Sequence, residues 1–303
     1  MGESVDATQG IRIEVDDLVA VRARLSALGD QRRRRQASAR SGARELQLRG
    51  RGMEYAESRA YVYGDDIRTM DWRVMARTGE AHSKVFAEEK DRCCLLATDL
   101  SRSMFFGTRF ALKSWAAAQV AAHAGWLAHF AGERIGGLVA SPGYHAEVRP
   151  GKTRSGLLGV FHHLALADRR REAQNGNGHR LGFLLRELRR VTRPGASIAL
   201  ISDFIGIDEP ALQALSDITR HNEVIAYWVY DDSEIDEWPD DYYPVIDGGR
   251  QATLDLVDAR NRAWLDGLQT AHRSRLESIC GNFGISLRPL SCNRDITSQL
   301  IER

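Results

Sequence analysis

Cys93-Cys94-Leu95-Leu96-Ala97-Thr98-Asp99-Leu100-Ser101-Arg102-Ser103-Met104 is a short apolar run that ends at an aspartate, with serines at the second and fourth positions after it. Residues 93–97 have the length of a buried strand, and residues 109–130 read as a long helix. Asp99, Ser101 and Ser103 therefore belong to a strand-to-helix loop. Open α/β sheets bind their ligands at such loops, outside the carboxyl ends of the strands. A second apolar run, Ser197-Ile198-Ala199-Leu200-Ile201-Ser202-Asp203-Phe204, also ends in an aspartate. If the two strands are neighbours, Asp99 and Asp203 share one edge of the sheet.

Working outward, the alternation of strands and helices continues. Residues 134–140 and 144–149 read as a hairpin through Ser141-Pro142-Gly143, and residues 153–166 and 180–191 as helices. A helix at 208–221, a strand at 224–230, a hairpin at 242–246 and 251–255, a helix at 258–279, a strand at 285–288 and a terminal helix at 296–301 follow. Strands separated by helices predict an α/β fold: a doubly wound, mostly parallel sheet covered on both faces. Upstream, residues 1–12 read as a weakly ordered leader. A helix at 15–28 is closed by Gly29-Asp30, and a polar connection then runs from the arginine tract 32–35 to Gly52. Residues 53–91 read as a small β-rich element, with Tyr61-Val62-Tyr63, Trp72-Arg73-Val74-Met75-Ala76 and a strand at 84–89. The expected division is 1–40, N-terminal helix and basic connection; 41–92, β-rich element; and 93–303, the α/β domain.

With 303 residues, 43% of them hydrophobic, the chain is long enough for a packed core. Its formal net charge of +1 gives no global pull toward nucleic acid or an acidic membrane. The charge is uneven, because ten arginines between Arg22 and Arg51 meet only Asp30 and Glu45. That tract suits gripping phosphates or an acidic partner, although such a run is more often a solvated arm. Cys93 and Cys94 are adjacent in the apolar run, far from Cys280 and Cys292, so they form neither a zinc pattern nor a disulfide framework. The first ten residues lack a basic-then-apolar signal, and Gln119, His123 and His129 interrupt the longest apolar stretch. The expectation is a soluble cytoplasmic protein with reduced thiols.

Two carboxylates, Asp99 and Asp203, with the hydroxyls of Ser101 and Ser103 and Thr153 as a candidate third hydroxyl, make an oxygen-only donor set. Such a set suits a hard cation: Mg²⁺, or Mn²⁺ or Ca²⁺ in its place. Neutral hydroxyls leave the metal electrophilic with a position open, which an Asp or Glu of a partner completes. The same serines also suit caps for the following helix.

Asp99-Leu100-Ser101-Arg102-Ser103 resembles the metal-ion-dependent adhesion site of von Willebrand factor A domains. Gly64-Asp65-Asp66-Ile67-Arg68-Thr69-Met70-Asp71-Trp72, Ala76-Arg77-Thr78 and Phe86-Ala87-Glu88-Glu89 resemble the DUF58 family of bacterial proteins. The resemblance implies a von Willebrand factor A-type fold preceded by a small β-rich element. It also implies a MoxR-type AAA+ ATPase as partner, in chaperone-like maturation or assembly of a client protein. Carried over by position, the metal residues are Asp99, Ser101, Ser103, Asp203 and Thr153. Gly64, Asp65, Asp66, Arg68, Asp71 and Trp72 are expected to form a structural or partner-facing motif, with Asp65 and Asp71 fixing turns or pairing with Arg68, Arg73 or Arg77.

No nucleophile is paired with a base in the sequence, so the chain is read as a binding protein and not an enzyme. The enzyme alternative is a metal-dependent phosphohydrolase at the Asp99 loop, and Ser101 stands where such a site wants a second acid. Nucleic-acid binding through residues 22–51 is the other alternative, and it predicts affinity that falls steeply with salt.

Overall fold

In chain order the first elements are α1 (Val15–Ala39), β1 (Glu54–Ala60), α2 (Trp72–Thr78), β2 (His82–Ala87), β3 (Cys93–Asp99), α3 (Lys113–Phe130), β4 (Arg134–Ser141), β5 (Tyr144–Gly151) and α4 (Arg154–Arg169). They continue with α5 (Leu181–Val191), β6 (Ala196–Ser202), α6 (Glu209–Thr219), β7 (Glu223–Tyr230), β8 (Tyr242–Asp247), β9 (Arg250–Asp255), α7 (Ala259–Phe283), β10 (Ser286–Ser291) and α8 (Ile296–Ile301). The computed structural model describes residues 10–39, 54–61, 70–87, 92–170, 181–236, 238–247 and 250–301. It divides into a unit of residues 1–32 with 92–303 and a unit of residues 33–91.

The larger unit is built on a six-stranded sheet in the order β10-β7-β6-β3-β4-β5. All neighbours are parallel except β5, which runs antiparallel to β4. Successive residues of β3 face opposite sides. Cys94 and Leu96 pack with α1, α3, α4 and α8, while Leu95 and Ala97 pack with α5, α6 and α7. Cover on both faces explains why this strand reads as one continuous apolar run. Each fully buried leucine or phenylalanine, such as Phe161 and Leu164 of α4, contributes about 1.5–3 kcal/mol. Gly137 lets β4 lie close to β3, since a Cβ there would come within 2.5 Å of the Leu96 carbonyl oxygen.

Helix α3 is buried along most of its length, and Ala116, Ala117, Ala118, Ala121 and Ala122 let it sit tightly between the sheet and the other helices. It begins at Lys113, later than the expected residue 109. The preceding segment is tied elsewhere: the Thr108 amide donates to Asp231, the Leu112 amide to the Gly10 carbonyl and the Lys113 amide to the Phe106 carbonyl. The same contact places Gly10 in this unit, and Ile13 is in the core, so the leader expected over residues 1–12 does not extend through Gly10. Leu18 and Val21 of α1 are also core residues, and the Trp126 indole donates to the Leu18 carbonyl at 2.9 Å. The expected stop at Gly29-Asp30 does not hold, and α1 runs to Ala39. Arginine, glutamine and alanine are good helix formers, and a single glycine costs only about 1 kcal/mol.

In the smaller unit β1 and β2 pair antiparallel, from Glu54 opposite Ala87 to Ala60 opposite His82. Trp72–Thr78, expected as part of the β-rich element, is a helix. Asp71 caps it by accepting from the amides of Arg73 and Val74, and Gly79 closes it in the left-handed region at φ 78°. Gly64, Asp65, Asp66 and Arg68 lie outside the described residues.

Candidate functional site

Strands β3 and β6 are neighbours, with Thr98 opposite Ile201, so the two apolar runs deliver their aspartates to one edge of the sheet. From β3 the chain crosses through α3 to β4 on one side; from β6 it crosses through α6 to β7 on the other. The Asp99 and Asp203 loops thus flank the topological switch point.

Asp99 is 1% exposed. Its Oδ1 accepts from the Ser101 amide at 2.9 Å, and its Oδ2 accepts from the hydroxyls of Ser101 at 3.3 Å and Ser202 at 2.8 Å. The Ser101 and Ser103 hydroxyls are 3.2 Å apart. Ser101 makes no side-chain cap to the 3-10 turn Arg102–Phe105 that follows it, so its hydroxyl serves the cluster instead. Burial, reinforced by the Asp203 charge, pushes the Asp99 carboxyl up to about 7 against hydrogen bonds from Ser202 and Ser101.

Asp203 is held by a cation from within the protein. The ammonium of Lys113 lies 3.0 Å from Asp203 Oδ2 and 2.6 Å from Glu234 Oε1, with the lysine side chain fully buried. Burial alone would lower the Lys113 pKa, but the two carboxylates outweigh it and the pKa is raised. Glu234 is itself fixed, since its Oε2 accepts from the Asp231 amide at 3.0 Å, and Asp231 holds the amide and hydroxyl of Thr108 at 2.8 and 2.7 Å. The Asp203 carbonyl lies 3.0 Å from His272 Nε2 on α7, so that nitrogen carries a proton. Phe204, the next residue, adopts φ 58°, a left-handed conformation that costs a non-glycine residue about 1 kcal/mol or more. Its buried side chain and the bond from its amide to Ser202 Oγ at 2.9 Å hold it there.

Next to this cluster lies an open groove of about 970 Å³ whose lining includes Ser103, Asp203, Ile205, Trp228, Glu234 and Leu268. Ser103 therefore belongs both to the oxygen cluster and to the groove.

A family model described as a protein of unknown function, DUF58, matches residues 57–275. The chain is a DUF58 protein. Uncharacterized proteins of Mycobacterium bovis and Mycobacterium tuberculosis are each 29% identical to it over 256 residues, covering 83% of this chain and 78% of theirs. Among solved structures, the conserved hypothetical protein BatB from Bacteroides thetaiotaomicron aligns at a TM-score of 0.41 and 13% identity, covering 69% of this chain and 93% of that one. An aerotolerance-related membrane protein from Bacteroides fragilis aligns at a TM-score of 0.34 and 15% identity, covering 62% and 97%. Among the described residues of the DUF58 chain, no helix is long and apolar enough to cross a membrane.

Four of the five expected metal residues of this DUF58 protein meet at one sheet edge; Thr153 does not. Strand β5 returns antiparallel to β4, pairing Gly151 with Ile135 at the start of β4, so α4 begins at the amino edge of the sheet. Thr153 sits there at the start of α4, 2.5 Å from the Ser155 hydroxyl. Asp71 and Trp72 lie in the smaller unit, where Asp71 is a helix cap and Trp72 is exposed. Sequence reading missed Ser202, Lys113 and Glu234. Ser202 precedes Asp203 directly, a signal that was available, but nothing in the sequence pairs a lysine at 113 with carboxylates at 203 and 234.

A cation can be tested against the donor spacing. Magnesium–oxygen bonds of about 2.0–2.1 Å put adjacent octahedral oxygens about 2.9 Å apart. Ser101 Oγ stands 3.2 Å from Ser103 Oγ and 3.3 Å from Asp99 Oδ2, close to that spacing. Asp99, Ser101 and Ser103 thus fit as three oxygen donors to one hard cation, whereas Asp203 is engaged by Lys113. Among the described residues no group of three or more His, Cys, Asp or Glu side chains adds a larger cage.

Proposed function

We propose that this DUF58 protein is a non-enzymatic protein-binding adaptor of von Willebrand factor A type. In this reading it acts with a MoxR-type AAA+ ATPase in chaperone-like maturation or assembly of client proteins. Asp99, Ser101 and Ser103 hold Mg²⁺, and the partner docks at the same sheet edge. The observation that carries the reading is the double membership of Ser103, in the oxygen cluster and in the wall of the open groove. A cation held there would lie beside a surface large enough for a partner's side chains. The von Willebrand type and the ATPase rest on the motif resemblance.

The test is calorimetric titration of wild type and Asp99→Ala with Mg²⁺ and Mn²⁺. It is followed by binding to a nucleotide-free MoxR-type ATPase from the same genome, with and without chelator. The expected result is saturable metal binding and metal-dependent ATPase binding, both lost in Asp99→Ala. Wild-type binding to the ATPase that survives both chelation and Asp99→Ala would sink the metal-dependent reading.

A further inference from the structure

Helices α1, α3 and α4 bring three basic side chains to one indole. The guanidinium carbons of Arg22 and Arg154 lie 5.6 and 5.2 Å from the centroid of the Trp126 ring, and the His129 ring stands edge-on to it at 5.6 Å. Helix α3 runs from the carboxyl edge of the sheet to the amino edge, so His129 lies one turn beyond Trp126 toward the amino edge. Arg154 opens α4 at that same edge. Helix α1 runs in the same sense as α3: the Ile13 amide just before it donates to Asp168 at the end of α4, and the Leu18 carbonyl accepts from the Trp126 indole. Arg22 is one turn past Leu18. All three groups therefore approach Trp126 from its amino-edge side.

These charges are not matched locally. Among the described residues, no carboxylate is ion-paired with Arg22 or Arg154, and no hydrogen bond engages the His129 ring nitrogens. The acids closest in sequence are turned elsewhere: Glu133 has Arg92 and Glu223 as its charged neighbours, and Glu14 pairs with Arg169. Burial, and then the positive charges of Arg22 and Arg154, hold the His129 pKa below its ordinary value. Arg154 is also the first residue of α4, whose first turn contains no acid, and a cation there opposes the helix dipole. The Thr153 hydroxyl, placed to cap that helix, is turned to Ser155 instead. Gathering like charges and setting one of them at the positive end of a helix are both unfavourable. An anion among the three groups relieves both at once.

The cluster has an apolar border. Phe130 stacks on Trp126 with centroids 6.2 Å apart and is 48% exposed, and Leu127, one turn earlier on α3, is 57% exposed. A single carboxylate is satisfied by one guanidinium fork, whereas a phosphate ester presents more charge and a further oxygen, enough for two forks and an imidazole N–H. We propose that Arg22, Arg154 and His129 bind a phosphate monoester at the amino edge of the sheet, the edge opposite the Asp99 cluster. The ester's apolar group lies against Phe130 and Leu127. This site is separate from the metal cluster and its groove, so it stands or falls independently of the adaptor reading.

The test is calorimetric titration of the full chain with phenyl phosphate and with benzoate, which share a ring and differ in the anion. Wild type is compared with Arg22→Gln, Arg154→Gln and Arg193→Gln. Glutamine keeps part of the aliphatic stem that covers Trp126. Arg193 is an exposed arginine in the segment before β6 and serves as the control for loss of one positive charge. A second arm sediments each protein with phosphatidylcholine vesicles, with and without phosphatidic acid, whose headgroup is also a phosphate monoester. The expected result is saturable binding of phenyl phosphate, weakened about tenfold or more by Arg22→Gln and by Arg154→Gln and unchanged by Arg193→Gln. Phenyl phosphate binding without vesicle binding assigns a soluble ester; sedimentation that needs phosphatidic acid, Arg22 and Arg154 assigns a lipid headgroup. Failure of wild type to bind either probe, equal or tighter binding of benzoate, or equal weakening by Arg193→Gln would overturn the proposal.

Discussion

The Lys113 ammonium lies 3.0 Å from Asp203 Oδ2 with both side chains buried, so a residue at the start of α3 neutralises the carboxylate that follows β6. A buried ion pair adds little over a well-packed apolar pair, yet losing one partner leaves an uncompensated charge. Lys113→Met strands Asp203 and Glu234. It is expected to lower unfolding free energy in urea by about 3–5 kcal/mol. A loss below about 1 kcal/mol would show that the pair does not form.

Asp231 sets a pH dependence of definite sign. Burial alone would raise its pKa, but hydrogen bonds from Ser233 and Thr108 hold it at about 2, below the ordinary value of 3.8. Because the folded value is the lower one, the stabilisation is complete above about pH 4 and disappears as pH falls toward 2. Asp231→Asn should cost on the order of 2 kcal/mol at neutral pH, with the gap to wild type closing over that acid interval. Chemical denaturation of both proteins across the interval reads the difference, and a gap independent of pH would rule the assignment out.

Thr153 and Asp99 are expected to part company in a metal titration. Thr153 sits at the amino edge of the sheet, so Thr153→Ala should leave Mg²⁺ binding unchanged while Asp99→Ala removes it. A clear loss of affinity in Thr153→Ala would contradict the placement of the site.

Gly137→Ala should be felt at once, because the added methyl would meet the Leu96 carbonyl at 2.5 Å across the β3–β4 pair. A backbone atom between paired strands has little room to move. Destabilisation of about 1–3 kcal/mol is expected, read as a lower Tm. An unchanged Tm would mean that the strands separate freely there.

The larger unit's architecture was legible from its strands, because cover on both faces demands continuous apolar runs, and those runs fall where β3, β6 and β7 form. The Asp99, Ser101 and Ser103 cluster was legible for the same reason, since strand ends and loop spacing are local properties. Helix limits were less so: the start of α3 depends on Asp231 and Gly10, more than a hundred residues away in either direction, and Asp71 caps a helix within what was expected to be a β-rich element.

By itself the sequence determined the alternating α/β pattern and placed two aspartates after two buried strands, because periodicity and turn chemistry are written locally. Only the tertiary structure decided which groups join them. Antiparallel β5 sends Thr153 to the far edge, and the start of α3 aims Lys113 at Asp203 and Glu234. Those partners are 90 and 121 residues apart, and no local pattern encodes a pairing fixed by how helices and strands pack across a sheet.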